Sequence, residues 1–517
     1  MASINAGWMR WFAWLLLPTS LFAQDPKAIR EAYFPSPDTV FTTPAFDTKK
    51  GFTDSEMLFD FLDREASAAQ GWRRDTIGFS AKGEPIVAVQ KGGEKADNPI
   101  RALMLGGIHG DEPAGTEGLL TMMQQLAPGG PWEPLLANVT LRVVPMVNPD
   151  GMNRLNRYAA NGLDLNRDQT KLANPEMIAL KRDFQAFDAD VVIDFHEYRP
   201  YRADYVDMGT FGVTSPFDVM FMYTGNLNVP TSIRTATEQL LVDPARSVMD
   251  RAGRRYANYF RPVVTRGQRE FRSGGASPRS SVTSFGLASS LAVLMEIRGV
   301  GLGRKGFERR VETAYKLAHS FLVSASVNAT AICAARAEAL ADEAPVVIDA
   351  ERATQPCQVE LLDLQSAELQ IFSEVCSDNN DQTPTRTRPR PAGYIILPGN
   401  DRAVERLGIL GLEMQVLTAE VPDVAVDRYA ITEDRLSAEE FEGFFERIMK
   451  AELERTAMNL PAGCVYVPSQ QPRFHLTFEL LEPEATNGFV RFRVMDPAAG
   501  AAFPVLRLPE PLNLPQP

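Results

Sequence analysis

The chain has 517 residues, of which 44% are hydrophobic and 23% are charged. This length is sufficient for two or more domains with cores of their own, and the balanced composition excludes fibrous and disordered proteins. The net charge of -13 excludes nucleic acid as the main partner, because a surface that binds phosphates must be basic.

The first 23 residues have the features of an export signal. Arg10 precedes the apolar run 11–23, and the small residue Ala23 stands where a signal peptidase cuts. The run is too short to span a bilayer, and no other stretch is apolar enough to do so. We therefore expect a signal peptide at 1–23 and an exported protein, periplasmic or extracellular, without a stable membrane span.

After this segment, the chain alternates between helical and strand patterns. A capping box at 53–56 predicts a helix to about residue 69, and 74–90 reads as two short strands around Lys82-Gly83. The next elements indicate a mixed, mostly parallel sheet with helices on both faces, the α/β class. Their predicted ranges are strands at 101–108, 139–147, 191–195 and 291–295, and helices at 114–126, 175–187 and 305–326.

This pattern ends near residue 326, so we assign 24–330 to a larger α/β domain, which is expected to carry the functional site described below, and 340–517 to a smaller α+β domain of unknown role. The polar, proline-rich stretch 378–391 is typical of a linker or long loop. The distal part then predicts a strand–helix–strand unit, a second helix and three strands. Their ranges are 394–397, 401–408, 412–417, 437–455, 465–467, 475–481 and 489–494.

All four cysteines lie in the C-terminal third of the chain. An even number in an oxidising compartment predicts two disulfides, with three possible pairings. The alternative is four buried free thiols. The residues are Cys333, Cys357, Cys376 and Cys464.

Polar residues follow or end four of the predicted strands. His109, Asn148, His196 and Glu296 occupy these positions. Open α/β sheets bind ligands in the crevice beyond the strand ends, so we expect these side chains to form one site.

The histidines in this set favour a metal site. A catalytic zinc needs three ligands from His, Asp, Glu or Cys and an open position for water. His109 and Glu112 are three residues apart, and Gly110 allows a tight turn between them. His196 completes the set, whereas His319 and His475 are expected to be structural.

Several motifs in this order resemble the zinc metallocarboxypeptidases, the M14 family, over roughly residues 51–326. The resemblance rests on a hairpin segment, a first metal motif, an Asn-Pro-Asp-Gly signature, an arginine-containing segment, a third-ligand motif and a final strand. These are SAKGEPI at 80–86, GGIHGDE at 106–112, NPDG at 148–151, RYAANGLDLNR at 157–167, IDFHE at 193–197 and EIR at 296–298.

The resemblance implies a role for each matching residue. One zinc ion per chain is expected on His109, Glu112 and His196, with Glu296 as general base. Arg157 matches the arginine that stabilises the developing oxyanion. The resemblance also implies that Asn166 and Arg167 bind the substrate carboxylate, and that Asp164 orients His109.

The chain departs from the family in one loop. Its members usually carry a substrate-capping tyrosine shortly before the glutamate strand, but the stretch 270–277 here has none. Tyr256 and Tyr259 lie upstream on a helical pattern, where packing is the expected role. The sequence therefore leaves open which group caps the substrate.

The expected reaction is hydrolysis of a peptide bond next to a free carboxylate, which releases C-terminal residues. Two alternatives stay open: a zinc amidase or deacylase acting on murein peptides or N-acyl amino acids, and a catalytically silent binding protein. Five arginines indicate either an anionic substrate or a solvated, salt-bridged face. They are Arg261, Arg266, Arg269, Arg272 and Arg279.

Overall fold

The computed structural model describes residues 26–93, 96–265, 267–498 and 500–514, so the predicted signal peptide lies outside the described residues. The strands of this part are β1 Arg73–Phe79, β2 Pro85–Gly92, β3 Ile100–Gly106, β4 Val139–Val144, β5 Val191–Tyr198, β6 Val213–Thr214, β7 Val219–Met222, β8 Tyr256–Asn258, β9 Phe260–Thr265, β10 Gln268–Ser273, β11 Leu291–Arg298, β12 Val346–Asp363, β13 Leu369–Arg388, β14 Gly393–Ile396, β15 Gln415–Val416, β16 Val421–Phe441, β17 Phe444–Leu460, β18 Val465–Pro468 and β19 Val505–Leu508.

The helices confirm most of the predicted pattern, and the predicted helix 175–187 coincides with α6. The α-helices of the described residues are α1 Lys27–Tyr33, α2 Pro44–Asp47, α3 Ser55–Glu65, α4 Pro113–Gln125, α5 Pro149–Met152, α6 Pro175–Phe187, α7 Thr231–Thr237, α8 Asp243–Arg251, α9 Ser281–Leu287, α10 Phe307–Val327, α11 Ala329–Leu340, α12 Asp401–Ile409 and α13 Leu476–Leu480.

The largest sheet has eight strands in the order β1-β2-β4-β3-β5-β11-β7-β8. Its central strands β4, β3, β5 and β11 are parallel, and antiparallel strands flank them. Every residue of β5 is buried, so both faces of the sheet are covered. The mixed α/β class predicted from the sequence is confirmed.

Two smaller sheets contain the rest of the chain. One has the order β6-β12-β13-β10-β9 and joins strands that lie before Glu296 to the hairpin β12–β13. The other has the order β15-β18-β14-β19-β16-β17. The segment between His196 and Glu296 is therefore built into a sheet with a much later part of the chain.

The hydrophobic core is continuous between these parts. One cluster of buried apolar residues includes Leu103 and Phe195 of the large sheet, Ile332 of α11, and Tyr394 and Val505 of the third sheet. Burying this surface in one cluster couples the stability of residues before and after position 340.

The predicted helix at 437–455 is wrong. The chain forms a hairpin there, and Phe441 of β16 pairs with Phe444 of β17. Glu442 and Gly443 form the turn, with φ of 50° and 82°. Two positive φ angles are typical of a type I′ hairpin turn, which sets the register of both strands and overrides the helix-start pattern Ser437-Ala438-Glu439-Glu440 on which the prediction is based.

Three other predictions in the distal part are also wrong. The polar stretch 378–391 is mostly strand β13, because pairing with β12 satisfies its backbone groups despite its polar side chains. The predicted strand at 475–481 contains helix α13, and 489–494 forms turns. A short buried apolar run does not distinguish a strand from a helix by its pattern.

The cysteines form one disulfide rather than two. Cys357 and Cys376 are bonded across β12 and β13, with Cα atoms 5.7 Å apart. Cys333 and Cys464 are free thiols. The sequence does not indicate this pairing, because only the hairpin brings two cysteines within bonding distance.

Among the described residues, no single helix is both long and apolar enough to cross a membrane. Helices α10 and α11 meet that criterion only when they are taken together, and they are bent by 78° relative to each other.

Candidate functional site

Neighbouring strands of the large sheet carry the polar residues that the sequence singles out. His196 in β5 is the direct partner of Glu296 in β11, and His109 follows the adjacent strand β3. Asn148 has a different position: its Oδ1 accepts a hydrogen bond from the Gly151 amide at 2.9 Å and caps α5. Three of the four predicted residues therefore meet, and the fourth supports a neighbouring turn.

His109, Glu112 and His196 form a compact cluster of candidate metal ligands. One ligand atom from each lies within 4.8 Å of the others. The Nδ1 atoms of the two histidines are 3.0 Å apart, and each lies 2.8 Å from an oxygen of Glu112. Two imidazole nitrogens and a carboxylate are a donor set that suits a catalytic zinc and leaves a position open.

Carboxylates hold the far nitrogens of both histidines. His109 Nε2 lies 3.0 Å from Asp164 Oδ1, as the sequence predicts. His196 Nε2 lies 2.9 Å from Asp194 Oδ2, a contact that the sequence analysis did not include. Side chains two residues apart in a strand lie on the same face, so the sequence Asp194-Phe195-His196 could have predicted this contact. Both rings are thereby oriented with Nδ1 toward Glu112.

The turn that carries Glu112 is fixed by close backbone packing. A Cβ on Gly110 would lie 2.0 Å from the carbonyl carbon of Gly151, so a larger residue does not fit. Glu112 is the N-cap of α4, whose first residue is Pro113. The Glu197 amide donates to Glu112 Oε2 at 3.0 Å, which orients the carboxylate from the side of β5.

The carboxylates and the imidazoles of the cluster shift each other's pKa values. Burial acts to lower the pKa of His196, but the carboxylates of Asp194 and Glu112 raise it well above its usual value. Burial acts to raise the pKa of Glu112, yet the two histidines lower it overall. Both shifts arise because the carboxylates and the imidazoles lie close enough to stabilise each other's charged forms.

The cluster opens into a cavity of about 600 Å³ that is lined by His109 and Glu296. Burial and the charge of Glu112 raise the pKa of Glu296 to about 7. Asp111 and Glu197 also line the cavity, but Glu197 is buried and ion-paired with Arg310. Of the two glutamates that line the cavity, Glu296 is the one that forms no ion pair among the described residues.

Arg157, Asn166 and Arg167 line the same cavity. Arg157 donates to Asp164 Oδ2 through Nε at 3.1 Å and Nη2 at 2.9 Å, and its Nη1 lies 3.3 Å from Glu112 Oε1. Asn166 Oδ1 accepts from the Ser281 amide at 2.8 Å. All three predicted substrate contacts therefore lie within reach of one bound molecule.

Tyr259 is a residue whose place the sequence analysis predicted wrongly. It follows strand β8 rather than lying in a helix, and it lines the cavity with Glu296. Burial and the negative charge of Glu296 raise the pKa of its phenol. Its amide donates to the Phe221 carbonyl at 2.7 Å, so the edge of the sheet fixes its position. This strand has only three residues, which is too short for an alternation of apolar and polar residues to reveal it in the sequence.

Arginines dominate the rest of the cavity wall. Of the five arginines singled out in the sequence, Arg261, Arg272 and Arg279 line it, Arg269 does not, and Arg266 lies outside the described residues. Further members come from other segments: Arg199, Arg202 and Arg352.

The other two histidines lie elsewhere. His319 stacks on Trp132 with ring centroids 4.2 Å apart, and His475 Nε2 lies 3.1 Å from Asp342 Oδ2. These contacts agree with the structural roles expected for both.

Comparisons with known proteins agree with this geometry. The family model for zinc carboxypeptidase matches residues 61–199, which include all three candidate ligands. Carboxypeptidase 2 of Trichophyton rubrum is 28% identical over 527 residues, covering 94% of this chain and 94% of that protein. Carboxypeptidase SOL1 of Arabidopsis thaliana is 31% identical over 134 residues, covering 24% of this chain and 27% of that protein.

Solved structures of similar proteins include a metallo-carboxypeptidase from Pseudomonas aeruginosa, which is 19% identical with a TM-score of 0.40 and covers 54% of this chain and 70% of its own. Carboxypeptidase A from Helicoverpa armigera is 16% identical with a TM-score of 0.42 and covers 57% of this chain and 78% of its own. The sequence relatives and the matched family model agree: residues 61–199 match the zinc carboxypeptidase family, the M14 family, and the similarity to carboxypeptidase 2 extends over most of the chain.

Proposed function

We propose that the protein is a zinc metallocarboxypeptidase that hydrolyses the peptide bond next to a free C-terminal carboxylate. One observation carries this proposal: His109 of the His–Glu–His cluster lines one cavity together with Glu296, Arg157, Asn166 and Arg167. A metal site with a nearby carboxylate suits amide hydrolysis, and the arginines add recognition of a carboxylate.

His109, Glu112 and His196 would hold one zinc ion per chain. The ion would supply Lewis-acid polarisation of a carbonyl and would acidify water. The three side chains suit it because both histidines present Nδ1 while carboxylates hold their other nitrogens. Asp194 also has a buried oxygen, Oδ1, without a hydrogen bond among the described residues. Additional negative charge behind a ligand increases the basicity of that ligand.

Glu296 would act as the general base. Its position opposite His196 across two parallel strands directs it to the space in front of the ligand cluster. A carboxylate with a pKa near 7 takes up and returns a proton at neutral pH more readily than an ordinary glutamate. Glu296 would thus accept the proton of water and deliver it to the leaving amine.

Arg157 would stabilise the oxyanion, and Asn166 and Arg167 would bind the terminal carboxylate. Asp164 holds Arg157 through two hydrogen bonds, which orients Nη1 toward the candidate ligands. Arg167 Nη1 donates to the Asn166 carbonyl at 2.7 Å, which holds the two neighbours in one arrangement. A guanidinium and an amide provide the donors that a carboxylate needs.

Export to the periplasm or the outside of the cell completes the proposal. The apolar run 11–23 and the disulfide between Cys357 and Cys376 support it, because disulfides persist in oxidising compartments. An amidase or deacylase acting on murein peptides or N-acyl amino acids is the alternative within hydrolases, and a silent binding protein is the alternative outside them.

A substrate-release screen tests the function. Zinc-loaded protein is incubated with peptides, muropeptides and N-acyl amino acids, and mass spectrometry detects released amino acids. The Glu296→Gln variant should keep one zinc per chain and lose hydrolysis, whereas Glu440→Gln, an exposed control on β16, should behave as the wild type. Release from acyl amino acids alone would favour the deacylase, and no release from any substrate would favour the binding protein.

A further inference from the structure

Three arginines from different strands meet on one wall of the cavity. Arg261 belongs to β9, Arg272 to β10 and Arg352 to β12, and all three line the cavity that holds Glu296. We call this set the arginine cluster. It lies in the sheet that joins the segment before Glu296 to the later hairpin.

Strand register places two of these arginines side by side. Arg261 and Arg272 are direct partners in the antiparallel pair of β9 and β10, so they project from the same face. The neighbouring Phe271 projects from the opposite face and is 1% exposed, packed with Tyr205 and Leu361. Like charges directly opposite each other destabilise a sheet, so this pairing lowers stability unless an anion compensates it.

The third arginine adds to this surplus of positive charge. Arg352 Nε donates to Ser377 Oγ at 3.2 Å, and Ser377 is the strand partner of Arg272. Burial lowers the pKa of Arg352, and the charges of Arg272 and Arg261 contribute to the decrease. The arginine cluster is therefore close enough to act as one electrostatic unit.

Glu270 is the acidic partner of the arginine cluster. Its Oε2 accepts from Arg272 Nη2 at 2.9 Å, while its Oε1 lies 3.9 Å from Arg352 Nε. Arg261 has no ion pair among the described residues, and the buried Nε of Arg272 has no hydrogen-bond partner there. One carboxylate thus contacts two of the three guanidinium groups of the cluster, in a protein whose net charge is -13.

We propose that the arginine cluster binds an acidic side chain of the substrate, at one of the two residues that flank the scissile bond. This inference rests on the proposed carboxypeptidase function and specifies its substrate class. A side-chain carboxylate supplies the missing negative charge and accepts hydrogen bonds from the guanidinium forks. The enzyme would accordingly prefer C-terminal sequences that contain aspartate or glutamate.

The test compares peptides that differ by charge alone. Blocked tripeptides carry Glu, its neutral isostere Gln, or Lys at the last position, and a second set carries them at the penultimate position. The wild type should show kcat/KM at least about 10-fold higher for Glu than for Gln at one position, as expected for a charge-assisted hydrogen bond. The preference should decrease as salt is added.

Variants locate the preference in the structure. Arg261→Gln and Arg352→Gln should each reduce the Glu-to-Gln ratio toward one, with KM for the Glu peptide changing more than kcat. Arg269→Gln is the matched control, because Arg269 lies on β10 but pairs with Asp207 and Glu374 instead of lining the cavity. The Glu-to-Gln ratio of kcat/KM for Arg269→Gln should equal that of the wild type. Arg261 is exposed, so its variant provides the test if Arg352→Gln does not fold.

The outcomes separate this inference from the proposed function. Equal kcat/KM for Glu and Gln peptides at both positions would overturn the acidic subsite while leaving the carboxypeptidase activity established. Absence of amino-acid release from all peptides would overturn the proposed function itself. Because cell-wall peptides also contain glutamate, the panel includes α-linked and γ-linked glutamyl peptides. A higher kcat/KM for the γ-linked form would identify cell-wall peptides as the source of the acidic substrate.

Discussion

Asp194 shows how one residue outside the ligand set shapes the candidate zinc site. Its Oδ2 lies 2.9 Å from His196 Nε2 and accepts from Ser281 Oγ at 2.5 Å. These contacts determine which nitrogen of His196 faces Glu112. A carboxylate in this position fixes the tautomer of a ligand histidine and increases its basicity.

Replacing this carboxylate should weaken zinc binding without removing a ligand. We expect Asp194→Asn to reduce the affinity for zinc by about 10- to 100-fold, the usual effect of losing a partner behind a ligand. Competition with a chelator of known affinity measures the change. Asp60→Asn on the exposed surface of α3 is the control. An unchanged affinity would contradict a role for Asp194 in positioning His196.

Tyr259 is the second residue whose place only the structure reveals. Its phenol faces the cavity of Glu296 and Arg167, while the stretch 270–277 lacks a tyrosine. A hydroxyl group in this place can donate a hydrogen bond to the substrate.

We expect Tyr259→Phe to lower kcat/KM by about 2- to 10-fold, the effect of losing one neutral hydrogen bond. Zinc content should not change. Tyr256→Phe is the matched control, because its hydroxyl donates to Asp250 at 3.2 Å on the exposed side of β8. Equal kinetics for Tyr259→Phe and the wild type would assign Tyr259 to packing, as the sequence analysis expected.

Helices α6 and α9 meet around a buried lysine. Lys181 of α6 is 2% exposed and donates to Ser284 Oγ of α9 at 3.0 Å. Burial lowers the pKa of Lys181 well below its usual value, and the charge of Arg473 contributes to this decrease. The folded protein therefore holds this amine less protonated than the unfolded chain does at the same pH.

This difference predicts a pH dependence of stability. An unfolded lysine has a pKa of about 10.4. As pH falls from that value to the depressed pKa of Lys181, the unfolded chain binds the proton first, so the free energy of unfolding should decrease over this window and then level off. Lys181→Met should flatten this part of the curve in denaturant titrations. If the free energy of unfolding of the variant and of the wild type changed with pH in parallel, the result would contradict a lowered pKa of Lys181.

The elements also differ in how well the sequence predicts them. Strands such as β3, β4, β5 and β11 are buried on both faces, and their apolar runs identify them directly. The sequence failed to predict the hairpin β16–β17. Its largely exposed residues show little alternation of apolar and polar side chains, and its turn contains Glu442, a residue other than glycine with a positive φ. Backbone pairing rather than side-chain burial holds such two-stranded hairpins together, so their sequences carry only a weak hydrophobic pattern.

The same hairpin connects distant parts of the molecule. Glu442 at its turn accepts from Lys171 Nζ at 3.0 Å and forms an ion pair with Arg279 of the cavity wall. Glu479 of the distal part accepts from Asn226 and Asn228 at 2.8 and 3.0 Å. We propose that 24–330 and 340–517 are two units that share one core and jointly form the cavity.

This proposal predicts the outcome of a truncation. A protein that comprises residues 24–330 should fail to form a compact, zinc-binding domain, because buried residues such as Val346, Tyr394 and Leu476 complete its core. Thermal melting followed by circular dichroism and metal analysis of the purified fragment test this expectation. A fragment with a cooperative transition and one zinc per chain would show instead that the first unit folds alone.

Local sequence patterns are sufficient to predict the α/β class and the candidate metal ligands, because buried strand runs and the polar residues at their ends can be recognised without the fold. Three-dimensional contacts are needed to establish the pairing of Cys357 with Cys376, the place of Tyr259 and the meeting of Arg261, Arg272 and Arg352. These features join strands far apart in the chain, and strand register, which local sequence specifies weakly on exposed ribbons, sets which side chains become neighbours.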